Sequence, residues 1–161
     1  MTLKDLSIFK WHKDCEKTSM PPDYVPKDKF TDKTANGLTK AIVTFINLAG
    51  GQAERISSMG RVIDGRKVVT NVLGQQGIIG SQTYIKGTST NGTADISAIY
   101  KGKSLKIEVK ILKDKQSDAQ KIYEQNVIKA GGFYILAKDW NGFIESFNII
   151  TNNGKNEIDP F

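Results

Sequence analysis

The stretch that decides the fold is GTADISAIYKGKSLKIEVK, residues 92–110. Its central dipeptide, Lys101-Gly102, is typical of a tight turn between two antiparallel strands. With the turn placed there, the residues that pair across the hairpin are apolar on one face: Ala98 with Leu105, and Ile96 with Ile107. The pattern therefore predicts strands over 94–100 and 104–111 with one buried face.

The same register brings two carboxylates together on the other face. Asp95 lies opposite Glu108, and Lys110 follows on that face. Directly paired residues hold their Cβ atoms about 4.5–5.5 Å apart, so the two charges repel unless a cation lies between them. Two interpretations stay open. One is a surface ion-pair cluster with Lys106 and Lys110, and the other is a site for Mg²⁺ or Mn²⁺.

Further polar residues follow the hairpin. Ser117 and Gln120 have the spacing of a capping box at the start of a helix, which by itself accounts for both residues. A glutamine in the first turn of that helix can also reach the carboxylates. A bound metal would polarise a phosphate and help to generate hydroxide. Lys110 would then neutralise charge on the phosphate or position the attacking water.

The rest of the chain predicts a mixed α/β sheet packed by helices. Asp64-Gly65 is a hairpin signal between the predicted strands at 53–63 and 67–73. The predicted elements are a helix at 38–48, strands at 53–63, 67–73 and 82–86, loops at 74–80 and 87–92, a helix at 117–130, a strand at 133–137 and a helix at 140–147. Residues 1–34 are expected to form an irregular arm, 35–150 the main domain and 151–161 a polar tail.

Composition narrows the class of protein. The 161 residues include one cysteine and one histidine, which excludes an internal disulfide framework and a Cys/His zinc site within one chain. No apolar run approaches the ~18 residues of a membrane span, so we expect a cytoplasmic protein without a membrane partner. The formal net charge is +6, and residues 35–116 carry an excess of +7 (12 basic, 5 acidic), which suggests a polyanionic partner.

The residues around the carboxylates resemble a known motif: Asp95, Glu108-Val-Lys110, then Ser117-Asp-Ala-Gln120 and a helix that ends in Ala-Gly-Gly. Their order is similar to that of the PD-(D/E)XK nuclease superfamily, and more narrowly to its VRR-NUC branch of virus-type replication-repair nucleases. The resemblance covers residues 36–148, including an arginine-bearing strand with a glycine turn, Ala53–Gly60. It implies a restriction-endonuclease-like core with a central mixed sheet flanked by helices, in αβββαβ order.

The resemblance also implies an activity and a role for each site residue. Asp95 and Glu108 would bind Mg²⁺ (or Mn²⁺ in its place) with the Val109 carbonyl, while Lys110 and Gln120 would act with them in catalysis. The implied activity is metal-dependent hydrolysis of DNA phosphodiesters, by a structure-selective endonuclease acting on flaps or four-way junctions. The expected setting is replication, repair or recombination in a bacterial cell or phage-infected host, with a homodimer left open.

Two departures from the family pattern bear on the metal. Ala94 stands where the family usually has proline, and residues 34–51 lack the acidic residue that many members carry on their first helix. We therefore expect one firmly bound ion. Five cations are candidates for phosphate contacts, with ordinary surface charge as the alternative for each: Arg55, Arg61, Lys86, Lys113 and Lys115. Two alternative functions stay open, a catalytically inactive nuclease-fold module that binds DNA and a phage protein that engages a host factor.

Overall fold

The computed structural model describes residues 1–57, 60–85, 87 and 90–152. They belong to two compact units, one formed by Met1–Ile56 with Asn91–Phe161 and the other by Ser57–Thr90. In chain order the elements are α1 (Leu3–Glu16), a 3₁₀ turn (Pro22–Tyr24), α2 (Ala35–Leu48), β1 (Gln52–Arg55), β2 (Arg61–Asp64), β3 (Lys67–Thr70), β4 (Gln76–Ile79), β5 (Gln82–Ile85), β6 (Ile96–Tyr100), β7 (Lys103–Val109), α3 (Asp118–Lys129), β8 (Phe133–Ala137) and α4 (Trp140–Asn152).

A four-stranded mixed sheet forms the centre of the first unit, in the order β1-β6-β7-β8. β6 pairs antiparallel with both β1 and β7, and β8 runs parallel to β7. The predicted hairpin is confirmed, because Ile96 pairs with Ile107 and Ala98 with Leu105. A parallel neighbour needs a crossover connection, and α3 supplies it between β7 and β8.

The hydrophobic core lies on one face of this sheet. Ile96, Leu105 and Ile107 from the hairpin join one buried cluster with apolar residues of α1, α2, β8 and α4. Phe45 of α2 holds edge-on ring contacts to three aromatic residues of α4: Trp140, Phe143 and Phe147. The opposite face of β7 carries Glu108, and α3, which has no fully buried residue, lies on that side.

The N-terminal segment is not the irregular arm that the sequence predicts for residues 1–34. That prediction is wrong for Leu3–Glu16, which form the helix α1. Thr2 caps this helix in a capping box: the Thr2 N–H donates to Asp5 Oδ2 at 2.7 Å, and the Asp5 N–H donates to Thr2 Oγ1 at 3.2 Å. Charged residues alternate with apolar ones along α1, and Leu6 is its one fully buried residue. The helix therefore lacks the continuous apolar stripe from which periodicity predicts helices.

The second unit is a two-stranded ribbon and corrects two predictions. β2 pairs with β5 and β3 with β4, so Asp64-Gly65 is not a hairpin turn, and β4 occupies part of the predicted loop at 74–80. The Asp64 carboxylate instead accepts bonds from the Arg66 guanidinium at 2.9 and 2.7 Å and from the Gln82 amide across the ribbon at 2.9 Å. The turn is at Asn71, whose Oδ1 accepts the N–H groups of Leu73 and Gln75.

The remaining predictions concern boundaries. The predicted strand at 53–63 is two strands, β1 and β2, which belong to different sheets. α2, α3 and β8 are confirmed, and α4 continues to Asn152, which takes in the first two residues of the predicted tail. Residues 153–161 lie outside the described part of the chain. Among the described helices, none combines the length and apolar character needed to cross a bilayer.

Candidate functional site

The hairpin strands bring the two predicted carboxylates to one end of the sheet. Asp95 directly precedes β6, while Glu108 is the second-last residue of β7. The backbone ladder ends at the Ile96–Ile107 pair, and a side-chain bond continues it, since the Val109 N–H donates to Asp95 Oδ2 at 3.0 Å. Asp95 is thereby fixed against the segment that carries Glu108.

Glu108 is a buried carboxylate with one unused oxygen. Its residue exposure is 1%, and its Oε1 accepts bonds from the Gln120 amide and from the Lys110 ammonium, the latter at 3.0 Å. Its Oε2 is buried and has no hydrogen-bond partner in the described residues. Burial raises the pKa of Glu108, Lys110 offsets part of this, and the charge of Asp95 adds to it. A cation at Oε2 would stabilise the charged form of this carboxylate and give its unpaired oxygen a partner.

Lys110 is held beside Glu108 and is itself largely buried, with 12% of its side chain exposed. Burial alone lowers the pKa of its ammonium, but the hydrogen bond and charge of Glu108 outweigh burial and raise that pKa. Asp114 Oδ2 lies 3.6 Å from the same nitrogen. Lys106, on the same face of β7, donates instead to Ser97 Oγ at 2.6 Å. Of the predicted ion-pair cluster, the Lys110–Glu108 pair therefore forms, buried and not at the surface, and Lys106 takes no part in it among the described residues.

Gln120 has both of the roles that the sequence leaves open. Its side-chain Oε1 accepts the backbone N–H of Ser117 at 2.9 Å, and its backbone N–H donates to Ser117 Oγ at 3.3 Å. These two bonds complete the predicted capping box. Its amide nitrogen donates to Glu108 Oε1. One side chain thus joins the first turn of α3 to the buried carboxylate.

Two residues that sequence reasoning misses belong to this region. Gly92 has φ of +80°, and a Cβ there would lie 2.3 Å from the Ala119 carbonyl oxygen, so glycine lets the turn before Asp95 pack on α3. Tyr134 of β8 pairs with Lys106, on the face that carries Glu108, and its hydroxyl is buried. Burial, and then the charge of Glu108, raise the pKa of Tyr134. Gly92 could have been found from the sequence, because a glycine two residues before Ala94 indicates a turn. Tyr134 could not, because its place on the Glu108 face depends on the pairing of β8 with β7.

The predicted phosphate contacts divide between the units. Arg55 is exposed at the end of β1 and pairs with Ile96, so it lies at the same end of the sheet as Asp95. Lys113 and Lys115 are exposed in the segment between β7 and α3. Arg61 belongs to the ribbon unit, and Lys86 lies outside the described residues. Three of the five cations therefore belong to the unit that carries the carboxylates.

The donor set suits a hard divalent cation. Within the described ranges, no group of three or more His, Cys, Asp or Glu residues is arranged to hold a metal. Two carboxylates, Asp95 and Glu108, with one buried oxygen left over, match the way Mg²⁺ binds, through one or two protein carboxylates plus water and substrate phosphate. They do not match the nitrogen and sulfur ligands of a structural zinc site.

Comparison with known proteins adds no assignment. The chain matches no protein-family model, and no curated protein matches it significantly. What is established is a mixed α/β domain whose four-stranded sheet places a buried carboxylate, a paired lysine and a second carboxylate at one end.

Proposed function

We propose that this protein is a Mg²⁺-dependent DNA nuclease with a restriction-endonuclease-like core, acting as a structure-selective endonuclease on flaps or four-way junctions. The observation that carries the proposal is Glu108. This carboxylate is buried, is bonded on one oxygen by Lys110 and Gln120, and keeps its second oxygen unpaired among the described residues. A purely structural ion pair gains nothing from an unpaired buried oxygen, whereas a carboxylate oxygen without a protein partner is available to a metal ion.

Asp95 and Glu108 would hold the ion, and the resemblance to PD-(D/E)XK nucleases adds the Val109 carbonyl. When bound, Mg²⁺ supplies Lewis-acid polarisation of the phosphate and a lower pKa for a coordinated water. The chain's own contribution is positional. The Val109 N–H fixes one oxygen of Asp95, and the Gln120 amide and Lys110 fix one oxygen of Glu108.

Lys110 has the chemistry to stabilise the charge that develops on the phosphate. Its raised pKa keeps the ammonium protonated at neutral pH, and it carries three N–H donors, of which Glu108 Oε1 takes one. A donor that is already oriented by a buried partner needs little rearrangement to reach a phosphate oxygen. The exposed cations Arg55, Lys113 and Lys115 would contact the DNA backbone on either side.

A second candidate function is a DNA-binding module that does not cut. The observation in its favour is that α2 carries no acidic residue, so nothing on that helix supports a second metal ion. The effect of Mg²⁺ on cleavage and on DNA binding distinguishes the two functions. The cleaving enzyme needs Mg²⁺ for turnover, whereas the module binds DNA equally well with and without it.

A cleavage panel tests the proposal. Linear, single-stranded, flapped and four-way-junction DNAs are incubated with the purified full chain in Mg²⁺, in Mn²⁺ and in EDTA. We expect cleavage of a branched substrate in either ion and none in EDTA. The matched control is Asp95→Asn, which keeps the size of the side chain and an acceptor for the Val109 N–H. Asp95→Asn should abolish cleavage. If the natural chain cuts none of the four DNAs in either ion, the enzymatic proposal is refuted.

A further inference from the structure

The face of the sheet that carries Asp95 and Glu108 continues from these carboxylates toward the β6–β7 turn. The next two residues to meet on this face are Ser97 of β6 and Lys106 of β7, which are paired across the hairpin. Residues two positions apart in a strand share a face, so this pair lies about 7 Å along the strands from the carboxylates. Neighbouring phosphates of one DNA strand have a similar separation.

Lys106 is a half-buried cation with hydrogen-bonding capacity to spare. Its ammonium has three N–H donors, and Ser97 Oγ accepts one of them at 2.6 Å. Among the described residues, no carboxylate lies within ion-pair distance of its Nζ, whereas Lys110 has both Glu108 and Asp114 within that distance. Lys106 is therefore oriented by a neutral partner and keeps an uncompensated positive charge, which favours an anionic ligand.

A cleft beside Lys106 has room for part of a nucleotide. Its volume is about 360 Å³, and it lies between β7 and the C-terminal end of α3. Ser104 and Lys106 line it from β7, and the small residues Ala130, Gly131 and Gly132 line it from the end of α3. A cation and a hydroxyl beside a wall of small uncharged residues suit a phosphate with its sugar and base attached.

We propose that Lys106 binds the DNA phosphate next to the one that is cut, and that the cleft receives the nucleotide attached to it. This inference rests on the proposed nuclease function, since the metal at Asp95 and Glu108 defines which phosphate is cut. Lys106 would bind the DNA equally in the ground state and in the transition state, so it would affect KM. Lys110, which acts on the reacting phosphate, would affect kcat.

A purely structural role for Lys106 is the competing interpretation. Its bond to Ser97 joins the two strands of the hairpin whether or not DNA is present. That role alone predicts that a Lys106 variant loses stability and loses affinity equally for every DNA. A phosphate contact predicts an effect that is confined to one phosphate.

A scan of uncharged linkages distinguishes the two interpretations. Single methylphosphonate linkages replace, one at a time, the phosphates on either side of the cut in a branched DNA. Single-turnover cleavage in Mg²⁺ gives the protein concentration for half-maximal rate. For the natural chain, we expect this concentration to rise about tenfold when the replaced phosphate is next to the scissile one. For Lys106→Met, the same linkage should have little further effect, because the contact is already absent.

Three further variants complete the test. Lys106→Arg keeps the charge and should retain the effect of the linkage. Lys106→Gln removes the charge but keeps a donor for Ser97 Oγ, so it should match Lys106→Met and guards against misfolding. Lys4→Met removes an exposed cation of α1, whose apolar residues pack on the opposite face of the sheet, and it should match the natural chain.

The outcomes separate this inference from the nuclease proposal. If the natural chain cuts DNA but the neutral Lys106 variants still respond about tenfold to that linkage, Lys106 does not bind that phosphate. An equal loss at every linkage also overturns the inference, and in both cases the nuclease proposal stands. If the natural chain cuts no DNA in Mg²⁺, the nuclease proposal and this inference fall together.

Discussion

Glu108 combines two conditions that oppose each other in a folded protein: it is buried, and one of its oxygens has no partner among the described residues. The pKa of Glu108 is raised, so the folded chain holds a proton on this carboxyl more tightly than the unfolded chain does. The stability that protonation confers is therefore complete at pH below the unfolded pKa and is lost as pH rises through the folded pKa. At pH above the folded pKa, the ionised Glu108 therefore destabilises the metal-free fold.

This leads to a prediction for Glu108→Gln. Glutamine keeps an acceptor for Lys110 and Gln120 but removes the buried charge, so the metal-free variant should be more stable than the natural chain by about 1 kcal/mol at pH 7. The difference should close as pH falls through the raised pKa. Thermal unfolding at several pH values in EDTA measures it. A variant less stable than the natural chain at pH 7 would contradict the account.

Gln120 allows capping to be separated from its contact with Glu108. Ser117→Ala removes a cap bond and leaves the Gln120 amide free to donate to Glu108, so it should cost about 1 kcal/mol of stability with little loss of kcat. Gln120→Ala removes both roles and should cost similar stability but lower kcat at least about tenfold. Urea unfolding and single-turnover cleavage of each variant check this. Equal kcat in the two variants would show that Gln120 only caps α3.

At the scale of elements, the turn before β6 has to fit against the first turn of α3. Gly92→Ala places a Cβ 2.3 Å from the Ala119 carbonyl oxygen at a φ of +80°, and we expect it to destabilise the fold by about 1–3 kcal/mol. Gly142→Ala in α4 is the control, because its Cβ would meet nothing closer than 3.4 Å and alanine favours helix. It should be neutral or stabilising in denaturant unfolding. If Gly142→Ala were the more destabilising of the two variants, the turn before β6 would not be fixed against α3.

The elements that could be predicted are those in which local pattern and tertiary packing agree. The β6–β7 hairpin has both a turn dipeptide and matched apolar pairs, and α2 and α3 have apolar spacing with a capping residue. The ribbon could not be predicted, because Asp64-Gly65 is a local turn signal that the β2–β5 and β3–β4 pairing overrides. α1 was missed because its sequence has a cap but almost no apolar stripe.

The candidate site follows the same division. Asp95, Glu108 and Lys110 come from the register of one hairpin, and Gln120 from a capping pattern, so sequence alone brings them together. The burial of Glu108 could not be predicted, because it results from α3 and β8 packing beside β7. The same packing places Tyr134 on the Glu108 face, and no local pattern encodes it.

At the scale of the whole molecule, the proposed contacts of exposed lysines with DNA phosphates predict how binding to DNA would depend on salt. Each phosphate contact releases counterions, so log K should fall linearly with log salt, and Lys113→Ala or Lys115→Ala should each reduce the slope by about 1. Lys4→Ala and Lys17→Ala, which remove exposed cations at the two ends of α1, should leave the slope unchanged. Fluorescence anisotropy with a branched DNA measures all four variants. Equal slopes throughout would remove Lys113 and Lys115 from the DNA contacts.

The central claim is that Asp95 and Glu108 hold a metal ion at which DNA is cut. The most direct test is the single-turnover rate of cleavage of a branched DNA as a function of Mg²⁺ concentration, for the natural chain and for Glu108→Gln. We expect a rate that rises and saturates with Mg²⁺ for the natural chain and is at least about 100-fold lower in the variant. Cleavage that persists in EDTA, or a rate that is the same in both proteins, would contradict it.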